Sequence, residues 1–169
     1  PHVFGDEKID SDAELKIAWE KIKQKEKQQP DNDSSALPSI LEGVIKTLPA
    51  LKRAQKLQTK AANVGFDWQD IQPVLKKIHE ECDELEYEVQ QNAEKALISD
   101  ELGDLLFSVV NLARQLGIDA EISLEKSNRK FTRRFQYIEE ELHKQSKKPT
   151  ECNLEELDKL WNAAKLSGL

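Results

Sequence analysis

Two acidic clusters, Glu80-Glu81-Cys82-Asp83-Glu84 and Asp100-Glu101-Leu102-Gly103-Asp104, lie about twenty residues apart. Glu81 and Glu84 are spaced i,i+3, and so are Glu101 and Asp104. On an α-helix that spacing sets both members of each pair on one face. Two helices packed antiparallel would bring these four carboxylates to one point. Like charges that close repel unless a cation lies between them, and an all-oxygen donor set suits a hard ion such as Mg²⁺.

A cationic stretch follows. Lys126, Lys130 and Arg134 share a helix face at i, i+4 and i+8, flanking Phe131 and Phe135, which the periodicity assigns to a buried face. This face is either solvated or a phosphate clamp, in which Arg134 gives planar multidentate bonds and Lys130 a point charge. A carboxylate–metal cluster beside a cationic helix suits a polyphosphate substrate. There a metal bridges phosphate oxygens and a carboxylate orients or deprotonates an attacking water.

The helix around Asp104 is apolar apart from one stripe. Glu101, Asp104, Ser108, Asn111 and Gln115 recur at helical spacing between Leu102, Leu105, Leu106, Phe107, Val109, Val110 and Leu112. Such a stripe commonly faces solvent. A second stripe, Glu80, Glu81, Glu84 and Glu88, lies beside an apolar seam of its own and makes a shared metal site the competing reading.

The elements that must position these groups are helical. Charged residues make up 34% of the 169 and aromatics 6%, with few Gly and Pro, the composition of an all-α protein. Helix signals begin near Ser11, with Glu14 three residues on, and a linker follows at Gln29-Pro30-Asp31-Asn32-Asp33-Ser34-Ser35. Residues 1–36 are accordingly read as an N-terminal helix and linker, and 37–169 as the main domain. Within that domain Thr47-Leu48-Pro49 is read as a cap and Gly65 as a stop. Asp70 opens a helix whose apolar seam includes Val74, Ile78, Cys82, Leu85 and Val89, and a turn is expected over Gln90–Lys95. Gly117 closes the next helix, Asp119 opens a fourth and Lys147-Lys148-Pro149 breaks it. Asn153 with Glu156 forms a capping box for the last. Four main helices after residue 37 make a four-helix-bundle-like architecture the natural one.

The net charge of −7 argues against general nucleic-acid binding. No apolar run approaches membrane-spanning length and no signal peptide is seen, so a cytoplasmic protein without a membrane partner is expected. Cys82 and Cys152 lack metal-ligand or disulfide spacing, and Cys82 is expected as a reduced core residue. The absence of methionine is read as the mark of a segment of something longer.

The pattern Glu80-Glu81-x-x-Glu84, Glu101-Leu102-Gly103-Asp104-Leu105-Leu106-Phe107, Asn111-Leu112-Ala113 and Asn128-x-Lys130-Phe131-x-x-Arg134-Phe135 resembles the MazG nucleoside triphosphate pyrophosphohydrolases. So does Leu48-Pro49-Ala50-Leu51 through Ala61-x-Asn63-Val64-Gly65-Phe66-Asp67-Trp68. The resemblance covers most of the chain from about residue 37 to Trp161. The resemblance implies an all-α domain, dimeric, with helices of both subunits building each site. It further implies that the chain matches the second of two MazG-like halves, with residues 1–36 as the tail of a truncated first one. The implied reaction is hydrolysis of (d)NTPs between the α- and β-phosphates to NMP and pyrophosphate, for house-cleaning or nucleotide-pool control. By the same resemblance Glu81, Glu84, Glu101 and Asp104 hold Mg²⁺, with Mn²⁺ as a substitute, and Glu80 supports or orients water. Lys77, Lys130 and Arg134 bind the triphosphate, and Asn111 and Trp161 contact the nucleotide.

Phe66 and Trp68 are read as core aromatics ahead of a base-stacking role. Glu140-x-x-His143 is the one Glu-x-x-His motif, too few for a di-iron bundle. The non-enzymatic alternative is a helical dimerisation or interaction module with its acidic stripes solvated.

Overall fold

The computed structural model describes residues 39–169, so the helix expected from Ser11 and the linker after it lie outside the described residues. Five α-helices follow one another: α1 (Ala50–Ala62), α2 (Ile71–Gln90), α3 (Lys95–Gln115), α4 (Ala120–Lys144) and α5 (Leu154–Leu166). A 3₁₀ turn at Pro149–Glu151 precedes the last, and no strand occurs among the described residues. The all-α expectation holds.

Helix ends follow local chemistry. Asp119 caps α4, its carboxylate accepting from the Ile122 N–H at 3.2 Å. Asn153 and Glu156 form the reciprocal capping box of α5, with bonds of 2.9 and 3.1 Å. Gly117 closes α3 at φ +68°, a left-handed turn glycine adopts without a Cβ penalty, and the Ile118 N–H returns to the Ala113 carbonyl at 2.8 Å.

Two caps differ from expectation. Pro49, not Thr47, holds the cap position of α1, and no side chain bonds there. Asp70 stands at the start of α2 without a cap bond. Pro73 occupies the third helical position, and proline lacks the N–H that an aspartate cap would serve.

Helices α2 and α3, joined by a four-residue turn, pack as an antiparallel hairpin, and α4 packs with α5. Helix α1 contacts both α3 and α4. It is tied to the start of α4 by the Lys52–Asp119 ion pair and by Gln55, which donates to the Ile118 carbonyl at 3.1 Å. Among the described residues the fully buried apolar side chains are Val74, Val110, Ile138, Leu142 and Ala164.

The buried seam of α2 runs through Val74, Ile78, Glu81, Leu85 and Glu88, each buried or half-buried. Cys82 is rotated one position off it and exposed, against the expectation of a core thiol. Helix α3 shows the converse. Its polar stripe is largely covered, with Asn111 buried and Glu101, Ser108 and Gln115 half-buried, whereas Leu102, Leu106, Phe107 and Val109 are exposed. On α4, Ile138 and Leu142 are buried as expected, but Phe131 and Phe135 are exposed. On α3 and α4 the apolar surface is wider than the described residues cover.

Candidate metal and phosphate site

The α2–α3 hairpin sets Glu81, nine residues before the end of α2, against Glu101, six after the start of α3. One carboxylate oxygen each from Glu81, Glu101 and Asp104 lie within 4.8 Å of one another. Glu81 is only 4% exposed, an acid placed in the middle of an apolar seam. A buried carboxylate is costly without a counter-charge. Desolvation, reinforced by the charges of Glu84, Asp104, Glu81 and Glu88, pushes the Glu101 carboxyl above the usual glutamate range.

Glu84, the fourth expected ligand, stands outside the trio and is exposed. With Glu80, Glu88, Glu101, His79 and Tyr87 it lines an open groove of about 660 Å³ on the same side of the hairpin. Three clustered oxygens with a fourth carboxylate acting on them by charge form a hard-oxygen donor set that fits a divalent cation such as Mg²⁺.

Lys77 lies beside the trio. Its ammonium is 2.8 Å from a carboxylate oxygen of Glu80 and 2.8 Å from one of Glu81. These two partners hold it charged well above the ordinary lysine range. In return Lys77 holds the Glu80 carboxyl below the usual glutamate range.

The cationic residues of α4 are only partly gathered. Lys130 is exposed and takes no part in an ion pair among the described residues. The Arg134 Nε donates to the Leu169 carbonyl at 2.8 Å, and its guanidinium lies 5.4 Å from the Trp161 ring centre. Phe131 packs on Trp161 with ring centres 5.3 Å apart. Phe131, Arg134 and Trp161 thus form one amphipathic cluster between α4 and α5, next to the exposed Lys130.

Asn111, expected at the nucleotide, is buried, and its oxygen accepts from the Arg114 Nε at 2.9 Å. Arg114 also pairs with Asp67 at 2.5 Å, while Gln115 donates to Asp67 at 3.2 Å and to the Trp68 carbonyl at 3.0 Å. The hydrogen bond from Arg114 holds Asp67 below the usual aspartate range. This network clamps the connector between α1 and α2 to the C-terminal end of α3. It leaves Phe66 82% exposed and Trp68 half open, against the expectation of core packing.

The sequence reading missed Asp67, Arg114 and Gln58. Arg114 follows Asn111 at i+3, the helical signal that links it to the stripe. Gln58 is buried on α1 and donates to the Phe107 carbonyl at 2.8 Å. Glutamine in an otherwise amphipathic helix gives no comparable sequence signal.

Similarity to known proteins agrees with this arrangement. The model of the MazG nucleotide pyrophosphohydrolase domain matches residues 69–139, a span that holds α2, α3 and most of α4. The chain is 43% identical over 166 residues to the nucleoside triphosphate pyrophosphohydrolase of Escherichia coli K12, covering 98% of this chain and 61% of the relative. It is 40% identical over 165 residues to the nucleoside triphosphate pyrophosphohydrolase/pyrophosphatase MazG of Thermotoga maritima, covering 98% and 59%. The chain therefore spans about three fifths of the length of these curated relatives.

Proposed function

We propose that this chain, whose residues 69–139 match the MazG nucleotide pyrophosphohydrolase domain, hydrolyses nucleoside triphosphates. The cut falls between the α- and β-phosphates and releases a nucleoside monophosphate and pyrophosphate. The observation that carries the reading is the convergence of Glu81, Glu101 and Asp104, with oxygens within 4.8 Å, around a Glu81 that is buried in the hairpin.

In this reading Glu81, Glu101 and Asp104 hold a divalent ion, Mg²⁺ or Mn²⁺, with Glu84 completing the set. A bound ion would polarise phosphate oxygens and offset the charge that develops on them. Glu80 remains ionised at neutral pH because Lys77 stabilises its charge. It is therefore a weak base, better suited to orient the attacking water by accepting its hydrogen bond than to remove its proton outright. Lys77, Lys130 and Arg134 counter the triphosphate charge. Trp161, already packed on Arg134, offers a flat face to the nucleotide, and Asn111 acts through the Arg114 network.

A second copy of the chain belongs to this reading. The exposed Leu102, Leu106, Phe107 and Val109 of α3 and Phe131 of α4 form more apolar surface than a monomer needs to show. A homodimer that covers it would also bring residues of one subunit toward the carboxylates of the other. No helix among the described residues is long and apolar enough to cross a membrane. The free thiols of Cys82 and Cys152 suit a reducing cytoplasm.

The test is a panel of NTPs with Mg²⁺ and product identification. NMP and pyrophosphate support the reading, and loss of turnover in Glu81→Gln with the helical content intact assigns it to the carboxylates. NDP and phosphate, or no turnover with any NTP, overturn it in favour of a non-catalytic helical interaction module.

A further inference from the structure

Glu81 already has a cation. Its side chain is buried in the α2–α3 seam, and its ion pair is with Lys77, one turn earlier on the same helix, at 2.8 Å. Glu101 and Asp104, the other two carboxylates of the trio, take part in no ion pair among the described residues. One ammonium therefore serves the cluster, and it sits on the member least able to draw charge compensation from water.

We propose that Lys77 is a built-in competitor of the divalent ion: its ammonium occupies Glu81 until an ion displaces it, and the freed lysine then turns to the substrate's phosphates. The inference rests on the pyrophosphohydrolase reading above and adds to it a coupling between metal loading and triphosphate binding through one side chain.

The geometry supports an exchange. An ion coordinated by Glu81 and an ammonium bonded to the same carboxylate carry like charge at contact distance, and the second weakens the first. Lys77 is free to leave, because its side chain is about one third exposed and ends a flexible four-carbon stem. It does not leave unguided. Its second bond, 2.8 Å to Glu80, reaches a carboxylate about half exposed on the groove side of α2. Released from Glu81, the ammonium pivots on Glu80 toward the groove into which Glu84, Glu88 and Glu101 also face. A phosphate arriving there offers the charge that the ion has taken from it. By linkage, a ligand that draws Lys77 off Glu81 raises the affinity for the ion by the same factor.

Mn²⁺ binding to the full chain without nucleotide, measured by calorimetry, tests this with Lys77→Gln and, as control, Lys76→Gln. Both variants remove one positive charge from α2 beside the groove and both lysines act on Glu80, but only Lys77 bonds Glu81, and Lys76 takes part in no ion pair among the described residues. Competition predicts that Lys77→Gln tightens Mn²⁺ about tenfold, within the usual range of a coupling free energy, and that Lys76→Gln, which bonds no carboxylate of the trio, changes it by less than about twofold. Equal tightening in both variants would mean general electrostatics, and unchanged or weaker binding in Lys77→Gln would mean that Lys77 merely positions Glu81. Either result overturns the inference and leaves the metal-site reading standing. No Mn²⁺ binding by the wild-type chain overturns both. A second measurement needs no variant: the Lys77 Nζ resonance of ¹⁵N-lysine-labelled protein should shift on Mg²⁺ addition alone, and an unmoved resonance at saturating Mg²⁺ overturns the exchange.

Discussion

Arg134 and Trp161 meet across α4 and α5, the guanidinium 5.4 Å from the ring centre, while the same arginine's Nε donates to the Leu169 carbonyl. One side chain thus closes the contact between two helices and still has its terminal nitrogens to offer an anion. The two duties can be separated by substitution.

Arg134→Ala should weaken nucleotide binding by at least about tenfold, the loss of one charge-assisted contact, with Mn²⁺ affinity nearly unchanged. Arg134→Lys retains charge but not the planar fork, and should recover only part of the loss. Calorimetry with a non-hydrolysable triphosphate gives both numbers, and equal losses of metal and nucleotide binding would assign Arg134 to structure alone.

Glu101→Gln should raise the Tm of the metal-free protein, because it removes a charge that burial and four neighbouring carboxylates disfavour. The same change should abolish the stabilisation that added Mn²⁺ gives the wild type. Scanning calorimetry in chelator and then in excess Mn²⁺ checks both signs in one experiment.

Asp67→Asn should destabilise the fold by ~2 kcal/mol at neutral pH, since it removes the charge that Arg114 and Gln115 bond. The sign of its pH dependence is fixed by the lowered pKa of Asp67. Stability from a depressed carboxyl is present above its unfolded value, near 3.8, and is lost as pH falls through the lower folded one. Urea unfolding should therefore show the wild type and variant apart at pH 7 and converging below about pH 3.8. A constant gap down to pH 2 would refute the ion pair's role.

Leu106→Glu places a charge on the exposed apolar face of α3 without touching the carboxylate trio. Sedimentation velocity should show the wild type as a dimer, as proposed, and this variant as a monomer. A variant that sediments as the wild type does would remove α3 from the interface.

Much of the fold was legible because helix ends are written locally. Asp119, the Asn153–Glu156 box and Gly117 each act through bonds within a few residues, and all hold. The Glu101–Asp104 pairing was legible for the same reason, as i,i+3 spacing is a property of one helix, whereas Glu84 stands outside the trio that Glu81 joins. What needed the structure was rotation about the helix axis. Cys82 and Glu81 are adjacent, and hydropathy chose the thiol for the seam, whereas packing on α3 put the acid there. Phe131 was placed on a buried face by periodicity, and Phe66 and Trp68 in the core as aromatics beside a glycine turn; both signals mark an apolar side chain, and neither says what packs on it. The Asp67–Arg114 pair spans 47 positions, beyond any local signal.

Helix α3 covers its polar stripe and leaves its apolar flanks open, and mass action gives that inversion a thermodynamic meaning. Under the homodimer proposed above, a fold that completes its apolar burial by association would have no single free energy of unfolding. Its melting temperature would climb with the logarithm of protein concentration, and the carboxylates at the helix's N-terminal half would be held only as firmly as the encounter between two copies allows.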